Sequence, residues 1–137
     1  MVRTLPEVRA SSEVYGETAP DLFESTLTGR EALAPQACVL RGFALTHIDA
    51  LLPALEAVVY AAPFRHMVTP GGYVMSVALT NCGRWGWTSD RQGYRYTEVD
   101  PQTGLPWPAM PDVFAYLARA AAREAGFEGF EPDACLI

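Results

Sequence analysis

Cysteine is scarce in this chain and badly spaced for its usual structural roles. Three cysteines, Cys38, Cys82 and Cys135, stand in 137 residues, with no two of them close in sequence. That argues against a disulfide framework and against a metal knuckle, and predicts buried or half-buried free thiols in a reducing compartment. Long hydrophobic runs are missing as well. The most apolar stretch, Leu51 to Pro63, is interrupted by Pro53 and Glu56 and is too short to span a bilayer. The opening, MVRTLPEVRA, has no apolar core of the kind a signal peptide carries, so a cytoplasmic address and no membrane partner are expected. No P-loop, G-x-G-x-x-G, G-x-S-x-G or H-E-x-x-H string occurs. The common sequence marks of phosphate-cradling, dinucleotide, serine-hydrolase and zinc-protease chemistry are therefore absent.

Lysine is absent altogether; all ten basic residues are arginine. The planar guanidinium suits phosphate and base recognition, although a GC-rich genome produces the same bias. With 50% hydrophobic and 19% charged residues, the chain has the make-up of one soluble globular domain. A domain of that size buries roughly two-thirds of its unfolded surface. The net charge of −6 argues against nucleic acid, because neutralising phosphates requires a basic face. Its distribution argues the other way. Residues 1–63 carry four Arg against eight acids, residues 64–97 four Arg against Asp90 alone, and residues 98–137 two Arg against seven acids. The middle segment is locally basic in an acidic chain.

Residues 1–36 mix Glu, Ser, Thr and Pro with little periodicity and read as a loosely ordered leader. Ala37 to Phe43 is a short β-favouring run. Ile48, Leu51, Leu52, Leu55, Val58, Val59 and Ala62 then recur at helical spacing. A helix starting near Asp49 places Pro53 in or just after its first turn, and Pro63 stops it. Thr69-Pro70-Gly71-Gly72 is a turn signal, Tyr73 to Leu79 a strand, and Asn81-Cys82-Gly83 a second turn. Trp85 to Tyr96 reads as further strand or ordered loop. Residues 98–111, EVDPQTGLPWPAMP, predict an irregular surface loop. Pro111 opens a second helix with Val113, Phe114, Leu117, Ala121, Ala122 and Ala125 on its apolar face, and Gly126 closes it. The final Asp133 to Ile137 is β-like and reads as a strand cut short.

His47-Ile48-Asp49 has the H-x-D spacing that opens a two-His-one-carboxylate iron site. Thr46 and Asp49 stand at a helix entrance, however, where both are expected as caps, and His66 has no carboxylates around it. No metal site is therefore assigned. The segment with chemical promise is the one in which Phe64, Tyr73, Trp85, Trp87, Tyr94 and Tyr96 interleave with Arg65, Arg84, Arg91 and Arg95. Aromatic rings stack on an extruded or single-stranded base for roughly 1–3 kcal/mol per base. The plain alternative is a hairpin whose aromatics pack on the helices.

The string FRHMVTPGGYVMSVALTNCGRWGWTSDRQGYRY, followed by VDPQTGLPWPAMP and FEPDACLI, resembles the AlkB-type alkylated-DNA repair dioxygenases. Asp21-Leu22-Phe23 and VLRGFAL fit the opening of that family, so the likeness runs over about residues 21–137. The resemblance implies an oxidative demethylase that uses Fe(II) and 2-oxoglutarate to hydroxylate the methyl groups of 1-methyladenine and 3-methylcytosine. Alkylated single-stranded DNA is the implied substrate, with double-stranded DNA or RNA beside it, and the complete protein is expected to be a monomer. By the same resemblance, Thr69 and Tyr73 contact the nucleic-acid backbone, Trp87 stacks on the damaged base and Tyr94 lines its pocket. Leu79 stands where well-known members carry Met, a volume-conserving exchange.

The family's iron and co-substrate residues follow the ACLI strand, and none can be matched here. Residues 37–137 are thus expected to be the N-terminal and nucleotide-recognition-lid part of such a domain, truncated before its iron-binding core. That predicts an α+β fold of two helices on short antiparallel strands, an incomplete piece of a double-stranded β-helix. The chain alone is expected to be catalytically inactive. The alternatives are a stand-alone nucleic-acid-binding module without catalysis, or a non-functional remnant.

Overall fold

A computed structural model describes residues 28–137. In chain order these are β1 (Gly29–Ala34), β2 (Ala37–Arg41), α1 (Ile48–Ala61), β3 (Arg65–Val68), β4 (Val74–Leu79), β5 (Asn81–Gly83), β6 (Gly86–Asp90), β7 (Gly93–Thr97), α2 (Asp112–Glu124) and β8 (Ala134–Leu136). The described strands pair only in twos, each pair antiparallel: β1–β2, β3–β4, β5–β8 and β6–β7. Two helices with short antiparallel strand pairs make the fold α+β, as expected. Of the segment read as a leader, residues 1–27 lie outside the described residues, while Gly29–Ala34 forms β1. Its register against β2 and the Glu31–Arg41 ion pair supply an order that composition does not show.

The helix α1 starts where its apolar spacing requires, but its entrance is not capped as expected. A short 3₁₀ turn, Leu45–His47, feeds into it, and no side chain bonds the free amides at the N-cap His47. The turn supplies part of the closure instead: the Ile48 N–H donates to the Leu45 carbonyl, after the Leu45 N–H to the Gly42 carbonyl and the His47 N–H to the Ala44 carbonyl, these last two at 3.0 Å. Thr46 is therefore part of the turn, and Asp49 is a first-turn acid facing the positive helix end. Pro53 lies inside the helix, just beyond the first turn. Pro111 stands immediately before α2, and its carbonyl accepts the Phe114 and Ala115 amides. At the far end Gly126 has a positive φ of 95°; its N–H donates to Arg123 and that of Phe127 to Ala122. This is the Schellman closure that a glycine at this position allows.

Asn81-Cys82-Gly83 is a strand, not the turn its composition suggests. β5 is held by β8, and the pairing continues where Thr80 and Ile137 exchange both backbone hydrogen bonds at 2.9 Å. A partner from the far end of the chain thus overrides local turn chemistry. The loop after β7 is irregular, yet it is not all surface: Asp100 and Trp107 are buried.

The buried set joins Val58, Ala62, Met67, Cys82 and Trp107 to Thr80, Asn81, Thr88, Ser89 and Asp100. So polar a core holds only if its groups are paired, since an unmatched buried group costs about 1–3 kcal/mol. Here they are paired. The Thr80 hydroxyl donates to the Ala62 carbonyl at 2.6 Å, the Ser89 hydroxyl to the Val68 carbonyl at 2.7 Å, and Asp100 accepts from Arg65 at 2.6 Å. Among the described residues only the Thr97 hydroxyl is buried without a partner.

Candidate functional site

The turn between β3 and β4 is fastened at both ends. The Thr69 N–H donates to the Tyr73 carbonyl at 2.8 Å, and the Tyr73 N–H returns a bond to the Thr69 hydroxyl at 3.2 Å. Gly72 takes a positive φ of 84° and donates back to the Thr69 carbonyl at 2.8 Å. That left-handed corner is why a glycine is needed at this point. The closed turn displays Tyr73, which is 77% exposed. Thr69 and Tyr73 are therefore neighbours on one rigid corner.

The β6–β7 hairpin carries the aromatic surface. Strand alternation puts Trp87 and Ser89 of β6 on one face with their partners Tyr96 and Tyr94 of β7. Trp87 and Tyr94 are stacked, with ring centroids 5.7 Å apart and planes 16° from parallel. Tyr94 and Tyr96 are both exposed. The backbone of Trp87 is clamped from behind. The fully buried Asn81 donates its amide to the Trp87 carbonyl and accepts the Trp87 N–H, both at 2.9 Å. Ser89 ties the same strand to β3 through Val68. Leu79 ends β4 opposite Arg65, half-buried and directly before Thr80-Asn81. Asn81 and Ser89 are positioning residues that the sequence reading passed over. The string NCG carries no mark that its Asn is a buried clamp, and the pairing of β5 with β8 creates that role.

Most of the arginines in the segment are spent on structure. Arg65 bonds Asp100 at 2.6 Å and Gln102 at 2.9 Å, and lies over the Trp107 ring at 5.0 Å. Arg95 makes a two-pronged bond to Asp90 at 2.8 and 2.6 Å. Arg95 and the Gln92 amide hold the Asp90 carboxyl down to about 2. Arg84 meets Glu98 at 3.2 Å on the exposed surface. Arg91 alone of the four has no carboxylate partner among the described residues. Its guanidinium lies against Gly72, close enough that a Cβ there would approach it to 3.4 Å. Arg91 thus links the Thr69–Tyr73 corner to the hairpin that carries Trp87 and Tyr94.

A cleft of about 250 Å³ opens beside β3 and β6, lined by Arg65, His66, Thr88, Asp90, Asp100 and Gln102 among others. Trp87 and Tyr94 do not line it, and its charged groups are largely bonded to one another. No three His, Cys, Asp or Glu side chains of the described residues come together as metal ligands. His47 packs edge-on against Tyr116 at 5.5 Å, and the ring of His66 bonds the Met75 carbonyl at 2.8 Å. No described helix is long and apolar enough to cross a membrane.

Residues 36–137 match the sequence profile of the 2OG-Fe(II) oxygenase superfamily. The chain belongs to that superfamily. It is similar to the alpha-ketoglutarate-dependent dioxygenase AlkB of Escherichia coli, with 53% identity over 117 residues, 85% of this chain and 54% of that protein. The AlkB of Salmonella typhimurium is 55% identical over the same shares, and an AlkB homolog of Caulobacter vibrioides 39% identical over 116 residues. The resemblance to AlkB-type dioxygenases is thereby borne out. The chain spans about half the length of the curated relatives it matches. The jelly-roll of 2OG-Fe(II) oxygenases is represented in this chain by a partial piece. Membership implies Fe(II) and 2-oxoglutarate as cofactors, but the described residues form no iron site.

Proposed function

We propose that residues 64–97 form the substrate-recognition surface of an alkylated-nucleic-acid demethylase. The observation that carries this reading is the Trp87–Tyr94 pair, a parallel aromatic platform at the surface whose strand is locked by a buried amide. An extruded 1-methyladenine or 3-methylcytosine stacks on that platform, with Tyr94 lining its edge and Leu79 part of the wall. Thr69 and Tyr73 meet the sugar-phosphate backbone, and Arg91 adds the cation beside them. Single-stranded DNA is the preferred partner, because its bases need no unpairing before they stack. The Fe(II)- and 2-oxoglutarate-dependent hydroxylation that releases the methyl group is a property of the complete enzyme, and this chain contributes binding without turnover.

The test is titration of the chain with a single-stranded oligonucleotide bearing one 1-methyladenine. Trp87→Ala is expected to weaken binding through lost stacking of roughly 1–3 kcal/mol, about 5- to 150-fold in Kd. Equal affinity of the variant and the native chain would remove Trp87 from the site. In the same mixture, supplied with iron and 2-oxoglutarate, no succinate is expected. Stoichiometric succinate would overturn the binding-only role.

A further inference from the structure

The cysteines, far apart in sequence, are not all far apart in space. We propose that Cys82 and Cys135 form a reversible disulfide across β5 and β8 when the protein meets hydrogen peroxide. The register places the two residues directly opposite each other. Thr80 and Ile137, two positions further along each strand, exchange both backbone hydrogen bonds. Antiparallel alternation makes Cys82 and Cys135 a hydrogen-bonded pair too, with Cα atoms about 5.5 Å apart. Disulfides bridge Cα separations of about 4.4–6.8 Å.

The two thiols are unequal. Cys82 is completely buried and Cys135 half-buried. The nearness of Cys135 and burial together push the Cys82 thiol up, and Cys135, facing Cys82, is drawn down against its own burial. Cys135, the more accessible of the two, is the nucleophile. Its thiolate attacks one peroxide oxygen, breaking the O–O bond to give a Cys135 sulfenic acid and hydroxide, which is protonated to water. Cys82 sulfur then attacks Cys135 sulfur, loses its proton and expels the second oxygen as water. Two thiols are oxidised by two electrons in total, and one peroxide is reduced to two waters. Hydrogen-bonded cross-strand sites hold their Cβ atoms near 5.5 Å, about 1–2 Å wider than a relaxed disulfide, so the bond draws the strands together and is readily reduced. Once formed, it fastens the strand whose Asn81 clamps Trp87.

The native chain serves for the test, and cleavage after arginine separates the three cysteines into peptides 31–41, 66–84 and 124–137. After brief hydrogen peroxide treatment, blocking of thiols under denaturing conditions and digestion, a 66–84/124–137 cross-link is expected, with Cys38 still blocked. Dithiothreitol should abolish the cross-link. Cys135 carrying two or three added oxygens beside a blocked Cys82 would overturn the proposal, as would a linkage through Cys38 or between two chains. In Cys135→Ser, Cys82 should remain reduced under the same exposure. Its oxidation there would show that Cys135 is not the nucleophile.

Discussion

At position 86 there is room for a hydrogen atom and nothing more. A Cβ on Gly86 would lie 2.3 Å from the Trp107 ring, whose Nε1–H donates to the Thr97 carbonyl at 2.9 Å. The glycine brings β6 against the ring and keeps Trp107, a buried member of the core, in place beneath the aromatic hairpin. Overpacking of this kind typically costs about 1–3 kcal/mol. Gly86→Ala is therefore expected to lower the urea midpoint of unfolding by a corresponding amount and to shift tryptophan emission to the red as Trp107 is pushed towards water. An unchanged midpoint with unchanged emission would mean that the ring yields without loss. Nothing in the string WGW announces this constraint, because Trp107 reaches the glycine from a loop that reads as exposed. Trp87 and Tyr94, by contrast, were named from the resemblance to the AlkB-type family, and the two-residue period of the hairpin is what brings their rings together.

At the level of elements, the parts fixed by local chemistry were the legible ones. Both helices follow their apolar spacing, Gly126 closes α2, and Thr69-Pro70-Gly71-Gly72 turns where its composition requires. β5 was not legible, because its partner β8 is remote and a polar triplet gains strand character only from that pairing. The β6–β7 hairpin adds a charge-dependent element. Asp90 accepts the Gln92 amide at 2.8 Å and both prongs of Arg95, which lower its carboxyl from the ordinary 3.8 to about 2. Asp100 is pushed up by burial, but bonds from Arg65, the Gln102 amide and Thr103 outweigh this, and its net shift is also downward. Carboxyls depressed on folding stabilise the native state above their unfolded values, and that contribution is lost as pH falls through the folded ones. Stability should thus hold above pH 3.8 and decline towards pH 2. Asp90→Asn keeps the acceptor for Gln92 but carries no charge, so its melting temperature should depend less on pH across that window. A variant whose pH profile overlays the native one would show that the Asp90–Arg95 pair does not govern the hairpin's acid sensitivity.

For the whole molecule the proposed function raises the question of how a chain of net charge −6 would engage a polyanion. The local excess of arginine over residues 64–97 was readable, but its availability was not, because Asp100 and Glu98 come from beyond the segment to neutralise two of its cations. Arg95 is held within the segment by Asp90. The pair of Arg84 with Glu98 is exposed, and such pairs are worth about 0–1 kcal/mol, so Arg84 can be released to a phosphate where Arg65 cannot. On the proposed reading one to two cations would face the ligand, Arg91 first. Each phosphate neutralised on a single strand contributes about −0.7 to the slope of log K against log salt. A slope of about −0.7 to −1.4 is expected, against about −2.8 if all four arginines took part. Arg91→Ala should flatten it by about 0.7, while Arg65→Ala should leave the slope alone and reduce stability instead. A native slope near that of four contacts would mean that the ion pairs open on binding. The charge map of the free protein would then be a poor guide to its bound form.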